Sequence, residues 1–197
     1  MKVFEPKVPY LKGSNKGNYF EKYSNGKPLN AANKKEIIQC AIEAISKHDK
    51  NNFYPLIEEL FFYLGFNCKV SRIGDTNNRA DAYIFDDIHS MPIEIKSPTE
   101  VQFINVKSIR QAVENKIILL SRKFFNTQRD TTSLAIGFTY TADRSDVIEL
   151  IDDVYSSYGI NVGIISVYDL MVCVWDLQVN NIEFDTLKIF NLRGKFK

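Results

Sequence analysis

The side chains of this sequence best suited to chemistry are two carboxylates and an amine, spaced as Asp81-x12-Glu94-x-Lys96. Hydrolysing a phosphodiester needs a divalent cation to neutralise charge and activate water. Hard oxygen ligands on rigid neighbouring strands suit magnesium for that work. A hairpin between a strand beginning near Asp81 and one carrying Glu94 can bring both carboxylates to one face, where two anions are costly without a cation between them. Lys96 shares the face of Glu94, about 7 Å further along. There its ammonium can orient or help deprotonate the attacking water and offset developing phosphate charge. Ile95 points into the core, and its carbonyl is a further candidate metal ligand. The acid-x-Lys tripeptide is not distinctive by itself, since Glu5-Pro6-Lys7 and Glu114-Asn115-Lys116 also carry it. Only the middle copy lies in an apolar strand that follows another acid-bearing strand. The competing reading is a surface cross-strand ion pair of Glu94 with Lys96 or Arg79.

Secondary candidates surround this trio. Glu58 and Glu59 flank an apolar helical stripe, and either can lean over the sheet edge to hold a metal-bound water or a second cation. The alternative is an ordinary solvated helix face. Arg79, Lys107, Arg110, Arg122 and Lys123 are candidates for phosphate contacts, because backbone charge dominates nucleic-acid affinity. Gln111 can hydrogen-bond near a metal or simply fix packing. His89, in a hairpin turn, is a weak candidate for the base, because Lys96 and a metal already fill that role. Tyr83 and Trp175 read as core or rim aromatics.

The elements that must position these groups follow from periodicity. Apolar residues at helical spacing (Ile37, Ile38, Ala41, Ile42, Ile45) predict a helix capped by Asn30 or Asn33. A second helix is expected over 52–64, with Pro55 in its first turn and Gly65 as the stop. The period then switches to two. Strands are expected over 66–71, 80–85 and 92–96, with turns at 74–78 and 86–87. A long helix over 105–123 and a strand over 133–138 come next. A helix over 144–158, capped by Asp143 and ended by Gly159, leads into a strand over 161–166. Short pieces complete the chain to residue 197. Helices, three meandering strands, then α-β-α-β predict an α/β fold: a mixed sheet of about five strands flanked by helices. Residues 1–30, rich in Lys, Asn, Gly and Pro, read as a basic N-terminal arm or linker, and residues 31–197 as the domain.

Composition narrows the class. Of 197 residues, 45% are hydrophobic and 25% charged, with 14 Phe and 10 Tyr, which excludes intrinsic disorder. No apolar run approaches the roughly 18 residues of a membrane span, and Met1-Lys-Val-Phe-Glu-Pro6 has no apolar stretch of a signal peptide. The three cysteines, Cys40, Cys68 and Cys173, are odd in number and widely spaced, and the two histidines are isolated. Zinc is therefore not expected, and a reduced, cytoplasmic setting is. The net charge of +1 hides an uneven spread. Residues 1–35 have eight Lys and two Glu (+6), residues 96–129 seven Lys or Arg and two Glu (+5), and residues 143–185 nine acids and one Arg (−8). Basic segments can meet a polyanion on one face; the bland reading is solvated helix surface.

Together, Glu58-x22-Asp81-x12-Glu94-x-Lys96 resembles the PD-(D/E)xK nuclease superfamily, and within it the FokI-type cleavage domain of type IIS restriction endonucleases. The likeness runs from about Leu56 to Met171. Residues 56–66 (LIEELFFYLGF) resemble the first helix, with Glu58 at the acidic position. Residues 79–84 (RADAYI) resemble the Pro-Asp-Gly-Ala segment, and residues 92–97 (PIEIKS) the strand with acid-x-Lys. Gln111 and Ala112 match the next helix, and residues 159–170 (GINVGIISVYDL) the last core strand and the helix after it. The resemblance implies that Asp81 and Glu94 bind the metal, that Lys96 is the catalytic lysine, and that the cofactor is Mg2+. It implies a DNA endonuclease leaving 5′-phosphate and 3′-hydroxyl ends. Its partners would be DNA and a sequence-recognition domain or subunit, with dimerisation of the cleavage domain and no membrane. Ala80 replaces the motif Pro, and Glu94 replaces Asp. Val113 replaces an acidic residue used in pairing two copies, leaving open a different partner surface or a nicking monomer. Two alternatives remain: a structure-specific or mobile-element nuclease, and a non-catalytic nuclease-like association module.

Overall fold

The computed structural model describes residues 17–71, 79–122, 126–141 and 145–197. Six strands form one sheet in sequential order: β1 (Cys68–Val70), β2 (Ala82–Ile84), β3 (Met91–Ile95), β4 (Ser133–Gly137), β5 (Val162–Ser166) and β6 (Gly194–Lys195). The first two pairings are antiparallel and the remaining three parallel. The sheet is thus mixed, as expected, with one more strand than the five anticipated. The sixth is only two residues long and has no periodic signature.

Parallel strands need crossovers, and the helices supply them. α1 (Lys34–Ile45), α2 (Lys50–Tyr63), α5 (Val167–Gln178) and α6 (Leu187–Phe190) bury their apolar sides against Ile93, Ile95, Leu134, Ile136 and Ile165. α3 (Val106–Ser121) and α4 (Asp146–Tyr158) pack on the other face, against Ala135, Val162 and Ile164. Alternation along β4 and β5 thus divides one sheet between two cores. Gly65 and Gly159 follow α2 and α4 at positive φ (89° and 64°), a backbone that L side chains adopt poorly.

The boundaries differ in instructive places. α2 starts at Lys50, earlier than expected, because the Asp49 carboxylate accepts from Asn52 N and caps the helix there. That places Lys50 and Tyr54 on one face, and Pro55 in the second turn. α5 is a full helix of 12 residues where only short pieces were expected. Its apolar residues follow directly on those of β5, and Ser166, accepting from Asp169 N, marks the change of period. Within residues 1–30, expected as an arm, Tyr19 and Phe20 are buried in the larger core, Phe20 beside Trp175. Two adjacent aromatics in a polar stretch carry no period to announce this. The expected turn at 74–78, Asp143 and Lys123 lie outside the described residues. All three cysteines are free. Among the described residues, no helix is long and apolar enough to cross a membrane.

Candidate active site

The antiparallel ladder pairs Ala82 with Ile93, so Asp81 and Glu94 are the next residues outward at one end of the sheet. Asp81 extends the ladder with its side chain: Oδ2 accepts from Ile95 N at 2.8 Å. Its own carbonyl accepts from Ser71 N, which ties the position to β1. Glu94 is the fourth residue of an entirely buried run of five and faces α3, while Ile93 and Ile95 face the opposite core. Lys96, just past β3, donates its backbone N–H to Ile136 O of β4 and brings Nζ to within 2.7 Å of Glu94 Oε1. Asp81, Glu94 and Lys96 therefore converge where β3, β4 and β5 end, the edge at which open α/β sheets bind ligands.

The Glu94–Lys96 contact is not the surface pair of the competing reading. The side chains are 4% and 13% exposed, so the charges are held in a poorly hydrated setting. Arg79 pairs elsewhere, with Glu114 at 3.7 Å on the exposed side of α3. Burial first, and the Glu94 charge second, push the Asp81 carboxyl up to about 6, against the opposing pull of Ile95 N–H, Lys96 and Lys50. Two carboxylates crowded in this way are an arrangement that a cation relieves.

Several residues at the site carried no sequence signal. Asn115 Nδ2 donates to Glu94 Oε2 at 3.0 Å, so both oxygens of Glu94 are held. The capping box of Asn105 and Ser108 fixes the start of α3, and with it the line of Gln111 and Asn115, one turn apart on one face. The carboxamide oxygen of Gln111, a candidate already from the sequence, is buried without a hydrogen-bond partner. Tyr54 OH donates to Ile95 O at 2.9 Å, fixing the carbonyl that was a candidate ligand. Lys50 forms an ion pair with Glu100 at 2.7 Å. Helical spacing of Lys50 and Tyr54 was readable, but only the cap at Asp49 turns it toward the sheet.

The remaining candidates are dispersed. Glu58 Oε2 accepts from Val70 N at 2.9 Å. Val70 lies opposite Ala82, so Glu58 stands at the same end of the sheet but spends an oxygen on the backbone of β1. Glu59 turns to Tyr63 OH at 3.5 Å. Lys107 and Arg110 are exposed on α3. His89 lies at the far end of the β2–β3 hairpin, against Asp86 and the Phe190 ring. Tyr83 and Trp175 are buried. Lys116, expected on a solvated helix surface, is instead fully buried and donates to Thr127 Oγ1 at 2.7 Å. Val113 packs against the α3–α4 core. Among the described residues, no three His, Cys, Asp or Glu side chains gather at one point. The oxygen donors placed at this edge are the carboxylates of Asp81 and Glu94 and the Ile95 carbonyl; the unpartnered Gln111 oxygen lies on α3 one turn before Asn115.

The mixed sheet with helices on both faces is a restriction-endonuclease-like fold. The solved structure of the restriction endonuclease FokI is similar, with a TM-score of 0.60 and 11% identity, over 82% of this chain and 31% of that one. FokI bound to DNA gives a TM-score of 0.58 and 14% identity, over 82% of this chain and 30% of that one. The chain thus spans under a third of the length of either. At these identities the likeness is one of fold. No family model and no curated protein matches the sequence.

Proposed function

We propose that this chain is a magnesium-dependent DNA endonuclease of restriction type, hydrolysing phosphodiesters to 5′-phosphate and 3′-hydroxyl ends. The observation that carries the reading is the convergence of Asp81, Glu94 and Lys96 at the carboxyl edge of the sheet. Similarity to the fold of a restriction endonuclease supports it.

The donor set fits a hard divalent cation. Asp81, Glu94 and the Ile95 carbonyl would hold it, with Gln111 as an oxygen donor at the margin. Such a cation supplies Lewis acidity and lowers the pKa of water near the scissile phosphate. The protein's own groups do the rest. Lys96, kept in place by Glu94, orients the attacking water and offsets charge developing on the phosphate. Asn115 stops Glu94 from turning away. Tyr54 fixes the Ile95 carbonyl. Low exposure at Glu94 and Lys96 strengthens each of these electrostatic effects.

One observation favours a second reading, the non-catalytic association module: both Glu94 oxygens already have partners within the protein. A carboxylate offers about four lone-pair positions, so two partners leave room for a metal. Incubating supercoiled plasmid with the protein in magnesium and in EDTA decides between them. The nuclease reading expects nicked or linear product only in magnesium, with ends that DNA ligase reseals without prior phosphorylation. An intact plasmid at saturating magnesium, with no cation bound in calorimetry, would leave the association module.

A further inference from the structure

We propose that Lys50 is a DNA-phosphate-binding residue of this site, and that Glu100 is its intramolecular competitor, occupying the ammonium until a phosphate displaces it. The proposal rests on the nuclease reading above and extends it to how the substrate is held.

Lys50 is the first residue of α2, and Tyr54, four residues on, shares its face. Tyr54 OH reaches Ile95 O, so this side of α2 is turned toward the end of β3. Lys50 Nζ lies 2.7 Å from Glu100 Oε1. Glu100 is itself anchored: its Oε2 accepts from Ser97 N at 3.2 Å and from Ser97 Oγ at 2.9 Å, in the turn that immediately follows Lys96. The two members of the pair differ in freedom. The Lys50 side chain is 52% exposed and that of Glu100 23%. The carboxylate is therefore fixed by its own loop, and the lysine is the part that can swing.

Electrostatics point the same way. The hydrogen bond to Glu100 is the largest influence on the Lys50 ammonium; burial opposes it, and the charges of Glu100, Asp81 and Glu94 add to it, so the amine is held above the ordinary lysine range. Lys50 is thus within the field of the acids that form the site. Those acids repel a polyanion, and Lys96 is almost buried and committed to Glu94. Lys50 is the more exposed of these two cations. It also stands at the first turn of a 14-residue helix, where the macrodipole favours an anion. An exposed ion pair contributes little to stability, so Glu100 can be exchanged for a phosphate at small cost.

The simpler alternative is a clip that fastens α2 to the loop after β3. The two roles predict different signs. A clip loses the same contact whichever partner is changed. A competitor opposes binding, so removing it must help while removing Lys50 must hurt. Glu100→Gln keeps an oxygen for Ser97 and removes only the charge.

The test is fluorescence anisotropy of a labelled duplex with the whole chain at several salt concentrations, alongside plasmid cleavage and melting temperatures. Lys50→Ala should weaken binding about 3- to 10-fold and lower the salt slope by about one. Lys50→Arg should restore both. Glu100→Gln should tighten binding about 2- to 5-fold, and the double variant should bind no better than Lys50→Ala. Equal weakening by Lys50→Ala and Glu100→Gln would overturn the proposal in favour of the clip. Wild-type behaviour of both variants in a protein that binds and cuts DNA would overturn it while leaving the nuclease reading intact. A wild-type chain that neither binds nor cuts DNA would remove that reading, and this proposal with it.

Discussion

The fold disfavours the ionised form of Asp81. Its carboxyl is pushed from 3.8 up to about 6, chiefly by burial and the Glu94 charge. Between those values the folded protein binds more protons than the unfolded chain, so stability falls as pH rises from about 4 to about 6 and then levels off. Asp81→Asn should remove that decline and raise stability at pH 7 in EDTA by on the order of 1–3 kcal/mol. It should also abolish cleavage. Melting curves across pH check the first effect, and magnesium affinity should weaken below about pH 6 in the wild type. Lys116 shows the opposite sign. Burial pushes its amine from 10.5 down to about 7, so the unfolded chain binds more protons between those values and stability rises with pH across that window. Lys116→Met should stabilise the fold at pH 7 by about 1–3 kcal/mol and flatten the slope, as urea denaturation at pH 7 and 10 would show. At this scale the acids and Lys96 were readable from type and spacing. Asn115, Tyr54 and the burial of Lys116 were not, because a lone polar residue on a helix carries no mark of what it faces.

At the scale of elements, α3 sets the site's precision. Asn105 accepts from Ser108 N at 3.0 Å and starts the helix that presents Gln111 and Asn115. Asn105→Ala should cost about 1 kcal/mol of stability, measured by urea denaturation, and should slow cleavage by loosening Asn115 against Glu94. Periodicity exposed α1, α2, α3 and α4, and the switch to period two exposed the β1–β2–β3 meander. It failed at α5 and β6 for physical reasons. Buried strand β5 and helix α5 form a largely apolar stretch from Val162 to Met171, interrupted only by Ser166, which caps the helix, and by Asp169 in its first turn. β6 pairs at only two residues, too short for any alternation. Caps, more than hydrophobicity, decided where elements began: Asp49 moved α2 and so delivered Lys50 and Tyr54 to the sheet.

At the scale of the molecule, the mixed sheet joins an antiparallel meander, which supplies Asp81 and Glu94, to parallel strands that anchor Lys96 through Ile136. The site therefore draws on β1 to β4, between two packed cores. The chain matches under a third of FokI, and the proposed nuclease leaves sequence recognition to another domain or subunit. The account accordingly expects cuts without fixed positions when this chain acts alone on a plasmid; sharp, site-specific bands on a sequencing gel would contradict that division of labour.

The central claim is that an ion-binding pair of acids and the adjacent lysine cut DNA. Single-turnover cleavage in magnesium, wild type against Lys96→Ala with matched circular dichroism, tests it most directly. The account predicts a loss of about 10²- to 10⁴-fold in rate with the fold retained. Cleavage by Lys96→Ala at the wild-type rate would contradict it.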